Sequence, residues 1–235
     1  MTILFISFAP IILILIYIYK RDKYEKEPMG LLAKALALGA IITLPIIFIE
    51  IFLKTFFETG DKIAIAFYDG FVVAALTEEV FKYLAFILLI WKNRNFNELF
   101  DGIIYAVFIS LGFAAVENFF YVYGFGGNVG VLRAFTAVPA HALFGVAMGY
   151  YFGLARFDKR QQTKYLWLAI LIPIMLHGFY DFFLMSENGI LLLLFLPFIV
   201  YLWISGFKKM KKHSLNSVFK DARLERPEIN LENME

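Results

Sequence analysis

Long apolar runs, each broken by a short segment carrying charge, Gly or Asn, recur along the whole chain. They cover residues 3–19, 31–56, 71–91, 100–123, 132–155, 165–185 and 189–207. About 20 apolar residues in helical form cross a hydrocarbon core of about 30 Å, so each run predicts one membrane-spanning helix, with the first at the short end of the range. A transmembrane barrel would instead need alternating strands of roughly ten residues, and these runs are continuous. The pattern therefore predicts an all-α fold. It is a polytopic membrane bundle of about seven transmembrane helices, with a transmembrane domain at 1–207 and a polar tail at 208–235.

The basic residues give the bundle an orientation. Lys20, Arg21, Lys23 and Lys26 follow the first run, Lys92 and Arg94 the third, Arg156, Lys159, Arg160 and Lys164 the fifth, and Lys208, Lys209, Lys211 and Lys212 the seventh. The alternate loops hold little beyond Lys62 and Arg133. Lys and Arg concentrate on the cytoplasmic side, which predicts an N-terminus outside and a C-terminus in the cytoplasm. The first run lacks a basic segment before it and a small-residue cleavage site after it, and is expected to be a retained anchor. The tail mixes both charge signs and predicts a solvated end, His213 included.

Composition strengthens this picture and narrows the function. Of 235 residues, 61% are hydrophobic, above the soluble average, so the bilayer is the expected surrounding of most of the chain. A formal net charge of +2, with the basic residues tied to span ends, gives no reason to expect nucleic acid as a partner. With no cysteine there is no thiolate nucleophile, disulfide or Cys-held zinc.

Against that background the ionisable groups inside the runs stand out. Glu78, Glu79 and Lys82 share one run, and Glu117, His141, His177 and Asp181 interrupt three later ones. A charged side chain at mid-bilayer costs roughly 2.5 to 3.5 kcal/mol on insertion scales, so such groups need partners or a polar cavity. Counted from the predicted outer ends at 1.5 Å per residue, Glu78, Glu79, Glu117, His141, His177 and Asp181 fall roughly 6 to 14 Å below the outer boundary, in one layer. Glu78 with Lys82, Phe113 with Glu117, and His177 with Asp181 are i, i+4 pairs that project from one helix face. Gly112, Ala114 and Ala115, and Ala140, Ala142 and Gly145, permit close helix approach beside Glu117 and His141.

These residue types suit amide hydrolysis: a carboxylate to deprotonate water, an acid or histidine to protonate the leaving amine, and donors for the oxyanion. The same set, with His141, His177, Glu117 and Asp181 as candidates, also suits one divalent ion such as zinc. No HExxH segment decides between a metal-free and a metal-assisted site. Plainer readings stand beside these: Lys82 as the structural ion-pair partner of Glu79, Asp181 as the group that orients His177, and Glu50 with Lys54 as a snorkelling pair. A proton-linked transporter and a non-catalytic scaffold are the competing classes, although no repeat or broken helix pair is visible.

The motif Glu78-Glu79-Val-Phe-Lys82 resembles the EExxK signature of the PrsW family of intramembrane proteases. Phe113-Ala-Ala-Val-Glu117-Asn118 resembles its FxxxEN motif, His141 and His177-Gly-Phe-Tyr-Asp181 its two histidine motifs, and the segment 22–28 its first cytoplasmic loop. The resemblance runs to about Phe207. It implies peptide-bond hydrolysis in a cell membrane, with an anti-sigma factor of one span as the best-known substrate type, cut on its extracytoplasmic side. The motifs are also similar to those of type II CAAX prenyl endopeptidases, which implies Glu78 as base for water and a structural Glu79. His177, His141 and Asn118 are then the expected acid or oxyanion donors, with Glu117, Lys82 and Asp181 completing the site. The loop 124–130, rich in Gly, is expected to move over the entrance.

Overall fold

The computed structural model describes residues 2–220, and among these every regular element is helical. Helices α1 (Thr2–Arg21) and α2 (Met29–Lys54) come first, followed by short α3 (Lys62–Phe67), a π-helical stretch (Tyr68–Leu76) and α4 (Thr77–Leu89). Then come α5 (Leu99–Phe125), α6 (Gly127–Phe135), α7 (Ala137–Phe157), α8 (Gln162–Met185) and α9 (Gly189–Leu215).

Among the described residues, six helical stretches are long and apolar enough to cross a bilayer: Ile3–Arg21, Met29–Lys54, Leu99–Phe125, Gly127–Phe157, Lys159–Met185 and Gly189–Leu215. The run expected at 71–91 differs in form. It belongs to one continuous rod over residues 62–89 that starts earlier, contains the π-helical stretch, and carries Glu78, Glu79 and Lys82 in its middle. One end of this rod meets the α8–α9 turn through an ion pair of Lys62 with Glu187 at 2.9 Å. Beyond the other end, Asn97 donates to Glu25 in the α1–α2 loop at 3.1 Å. The rod thus runs the length of the bundle.

Helix α5 is the axis. Its spanning window is 83% buried against 11% for α9, so α5 packs on all sides while α9 turns most of its surface outward, as expected where lipid replaces protein. It packs against α7, α2 and α1, and small residues set the distances. A Cβ on Gly149 would stand 2.1 Å from the Gly102 carbonyl oxygen, and one on Gly112 would stand 2.0 Å from that of Leu36. Such crossings exist only where the side chain is a hydrogen.

Two expectations are corrected here. The segment 124–130 is not a loop: α5 continues to Phe125, Gly126 turns the chain at φ +88°, and α6 begins at once. Nor is His213 solvated, because α9 continues past 208 to Leu215 and docks. His213 is 1% exposed, donates from Nε2 to the Tyr150 carbonyl at 2.8 Å and stacks on the Tyr150 ring. Ser217 then donates to Glu98. A histidine that can both stack and donate pulls the helix end onto α7, and residues 221–235 of the expected tail lie outside the described residues.

Candidate active site

The first two turns of α4 follow the π-helical stretch directly and point Glu78, Glu79 and Lys82 into the bundle, all buried. Lys82 Nζ donates to Glu78 at 2.9 Å and to Glu79 at 2.8 Å, and lies 4.3 Å from the centre of the Phe113 ring. Two carboxylates and a phenyl face thus compensate one buried ammonium.

Two histidines close the cluster from α7 and α8. His177 Nδ1 is 3.0 Å from Glu79 Oε1 and 3.9 Å from Glu78 Oε2, while its Nε2 is 3.1 Å from Asp181 Oδ2. His141 Nε2 is 2.9 Å from Glu117 Oε2, and its Nδ1 is 3.5 Å from Lys82 Nζ. An ammonium has no lone pair, so at that nitrogen His141 accepts, and its Nε2–H donates to Glu117. The rings lie edge to face at 5.3 Å, and Phe144 stacks on His177 at 4.8 Å. The residues expected in one layer therefore touch: His177 turns one nitrogen to the Glu pair and His141 one to the Lys82 between them, and the other nitrogen of each is held by an outer carboxylate.

Three groups join the site that the sequence pattern leaves elsewhere. Arg133, on α6, donates to Glu117 at 2.6 Å and to Asn118 Oδ1 at 3.1 Å, and lies over the Tyr121 ring at 3.8 Å. The i, i+4, i+8 spacing of Phe113, Glu117 and Tyr121 is the signal that reveals Tyr121, whereas nothing local marks Arg133. Glu50 is no simple surface partner of Lys54: it lines the same cavity as Glu78 and Glu117. The Asn118 amide donates to the Ser7 carbonyl at 2.9 Å and so ties α5 to α1.

The cavity above the cluster offers about 80 Å³ to solvent. At about 10 to 15 Å³ for each water position it admits several waters but no peptide strand. Its walls include Lys54 and Met185, which end α2 and α8, so it opens at the end of the bundle where Lys62 meets Glu187. A second cleft between α2 and α5, lined by Ile46, Glu50, Phe113 and Tyr121, reaches Glu78 and Glu117 from the side. Glu78 lines both spaces, whereas Glu79 is fully enclosed and lines neither.

The donor set fits a divalent ion. One ligand atom from each of Glu78, Glu79, His141 and His177 lies within 4.8 Å of the others. Glu79 Oε2 is buried with no hydrogen-bond partner, an acceptor left for something the protein itself does not supply. Charge points the same way: among the described residues, Glu78 and Glu79 share the ammonium of Lys82, Glu117 pairs with Arg133, and Asp181 pairs with His177.

A family model described as PrsW family intramembrane metalloprotease matches residues 27–204. The chain belongs to the PrsW family. Protease PrsW of Oceanobacillus iheyensis is 39% identical over 218 residues, 93% of this chain and 99% of that protein. Those of Clostridioides difficile and Bacillus subtilis are each 37% identical, covering 90% and 87% of this chain and 91% and 92% of theirs. No solved structure matches the chain. As a PrsW-family member the chain is a peptidase and a multi-pass membrane protein, which sets aside the transporter and scaffold readings.

Proposed function

We propose that this PrsW-family protease cuts a single-span membrane protein of the anti-sigma-factor type, in the plasma membrane of a prokaryotic cell, near the substrate's extracytoplasmic boundary. Glu78 takes the proton of the attacking water. The observation that carries this reading is the asymmetry of the Glu pair: Glu78 lines the solvent space, while Glu79 is enclosed and bound to Lys82 and His177. A water O–H proton moves to Glu78, the oxygen bonds to the scissile carbonyl carbon, the C–N bond breaks, and the leaving amine takes up the proton held on Glu78. His141, His177 and the orphan oxygen of Glu79 would hold a zinc ion, with Glu117 and Asp181 fixing the outer ring nitrogens. Such an ion, when bound, polarises the carbonyl and acidifies water. Lys82 keeps the two Glu side chains apart and aimed.

Seven crossings are supported by the rod over 62–89, and an N-terminus outside by the placement of Lys and Arg. The rod joins opposite ends of the bundle and at helical rise is roughly 40 Å long. The cavity then opens outward. A peptide bond inside an intact substrate helix is shielded, so the scissile segment is extended or frayed at the outer boundary, and the lateral cleft beside Glu50 gives it a path to Glu78.

Cleavage of a tagged single-span substrate by wild type and by Glu78→Gln tests the reading. Gln is nearly isosteric but takes no proton from water at neutral pH, so cleavage is lost at normal protein abundance. Retained cleavage would move the base to another carboxylate. Purified enzyme is expected to carry about one equivalent of zinc, reduced in His177→Ala, and a chelator should stop turnover reversibly. Full turnover by metal-stripped enzyme would leave the carboxylates to act alone.

A further inference from the structure

At the other end of α5, about 24 Å from Glu117 at helical rise, lies a second group of acids that the peptidase chemistry does not use. Glu25 and Glu27, in the loop joining α1 to α2, meet Asp101 in the first turn of α5, and one carboxylate oxygen of each lies within 4.8 Å of the others. Glu27 and Asp101 are 2% and 0% exposed. We propose that Glu25, Glu27 and Asp101 bind a hard divalent cation, Mg²⁺ or Ca²⁺, which fastens the α1–α2 loop to the start of α5.

The hydrogen bonds of the cluster leave this need unmet. Asp101 Oδ2 accepts from the backbone N–H groups of Asn97 and Glu98 at 2.8 and 2.7 Å, Glu25 Oε1 accepts from the Asn97 amide at 3.1 Å, and Glu27 accepts from the Tyr105 hydroxyl. The second oxygens of Asp101 and Glu25 are buried with no partner. Converging carboxylates shut away from water with lone pairs unused are costly unless a cation or proton joins them. Asp22, also buried, adds like charge beside Glu27, and the Lys26 ammonium, which donates to the backbone carbonyls of Tyr19 and Asp22, offsets the charge of Asp22. The set contains oxygen donors alone, which selects Mg²⁺ or Ca²⁺ over the softer ions that imidazoles favour.

Thermal unfolding of the purified full chain, stripped of metal and then given millimolar Mg²⁺ or Ca²⁺, tests this site. A saturating ion should raise the midpoint by about 5 to 10 °C. Glu25→Gln and Asp101→Asn should each lose that rise, while His177→Ala should keep it. The Asn retains an oxygen for the two backbone donors, and if that protein still fails to fold, Glu25→Gln on the half-buried loop decides alone. An unmoved wild-type midpoint with both ions overturns the site in favour of a shared proton. A rise lost in His177→Ala but kept in Glu25→Gln overturns it in favour of ion binding at the His and Glu cluster. None of these outcomes depends on which substrate is cut.

Discussion

The ammonium of Lys82 sits between Glu78 and Glu79 against the Phe113 ring, so its removal tests charge balance as well as chemistry. Lys82→Met would leave two buried carboxylates uncompensated, a loss of roughly 3 to 5 kcal/mol, and folded yield by size-exclusion chromatography should collapse. Adding Glu79→Gln removes one of the stranded charges and should restore part of the yield without restoring cleavage. Arg133 acts on the reaction only through Glu117 and His141. Arg133→Lys shortens the fork that joins Glu117 to Asn118, and should lower cleavage about 10- to 100-fold while yield stays near normal. Glu78, Glu79, Glu117, His141, His177 and Asp181 were legible because an ionisable group within an apolar run is conspicuous. Arg133 and Glu50 lie near span ends, where a charge commonly snorkels to water, and only the packing of α6 and α2 against α5 turns them inward.

The helices themselves follow from hydropathy, yet their contacts depend on a few small residues. Gly102 and Gly149 let α5 and α7 touch backbone to backbone, and α7 carries His141 one turn-pair away from that crossing. Gly149→Ala places a Cβ about where the Gly102 carbonyl stands, so the helices must separate. A loss of about 3 kcal/mol in refolding stability is expected, with cleavage falling as His141 moves from Glu117. An unchanged refolding midpoint would show that the crossing has slack. Gly102, Gly112 and Gly149 are plain in the sequence as glycines, but which carbonyl each faces is not. The π-helical stretch before Glu78 is invisible to a pattern of 3.6 periodicity, and a register change there decides which way the pair points.

Across the whole molecule, the proposed seven crossings put Lys23 and Lys211 on one side of the membrane and Asn128 on the other. The chain has no cysteine, so single cysteines at these exposed positions report cleanly to an impermeant thiol reagent in intact cells. Residue 128 should label and residues 23 and 211 should not; labelling at 211 would end the seven-span topology. The sequence by itself determined a helical membrane protein, the approximate spans, the intrahelical pairs of Lys82 and of His177 with Asp181, and the family-like motifs. All of these depend on composition and on neighbours within one helical turn. Tertiary structure alone decided the pairing of Arg133 with Glu117, the place of Glu50 in the cavity, the docking of His213 on Tyr150 and the meeting of Glu25 with Asp101. Such contacts join residues far apart in the chain, and they depend on how each helix is rotated and how closely glycines let it approach. Hydropathy, which is nearly the same on every lipid-facing side, carries no record of either.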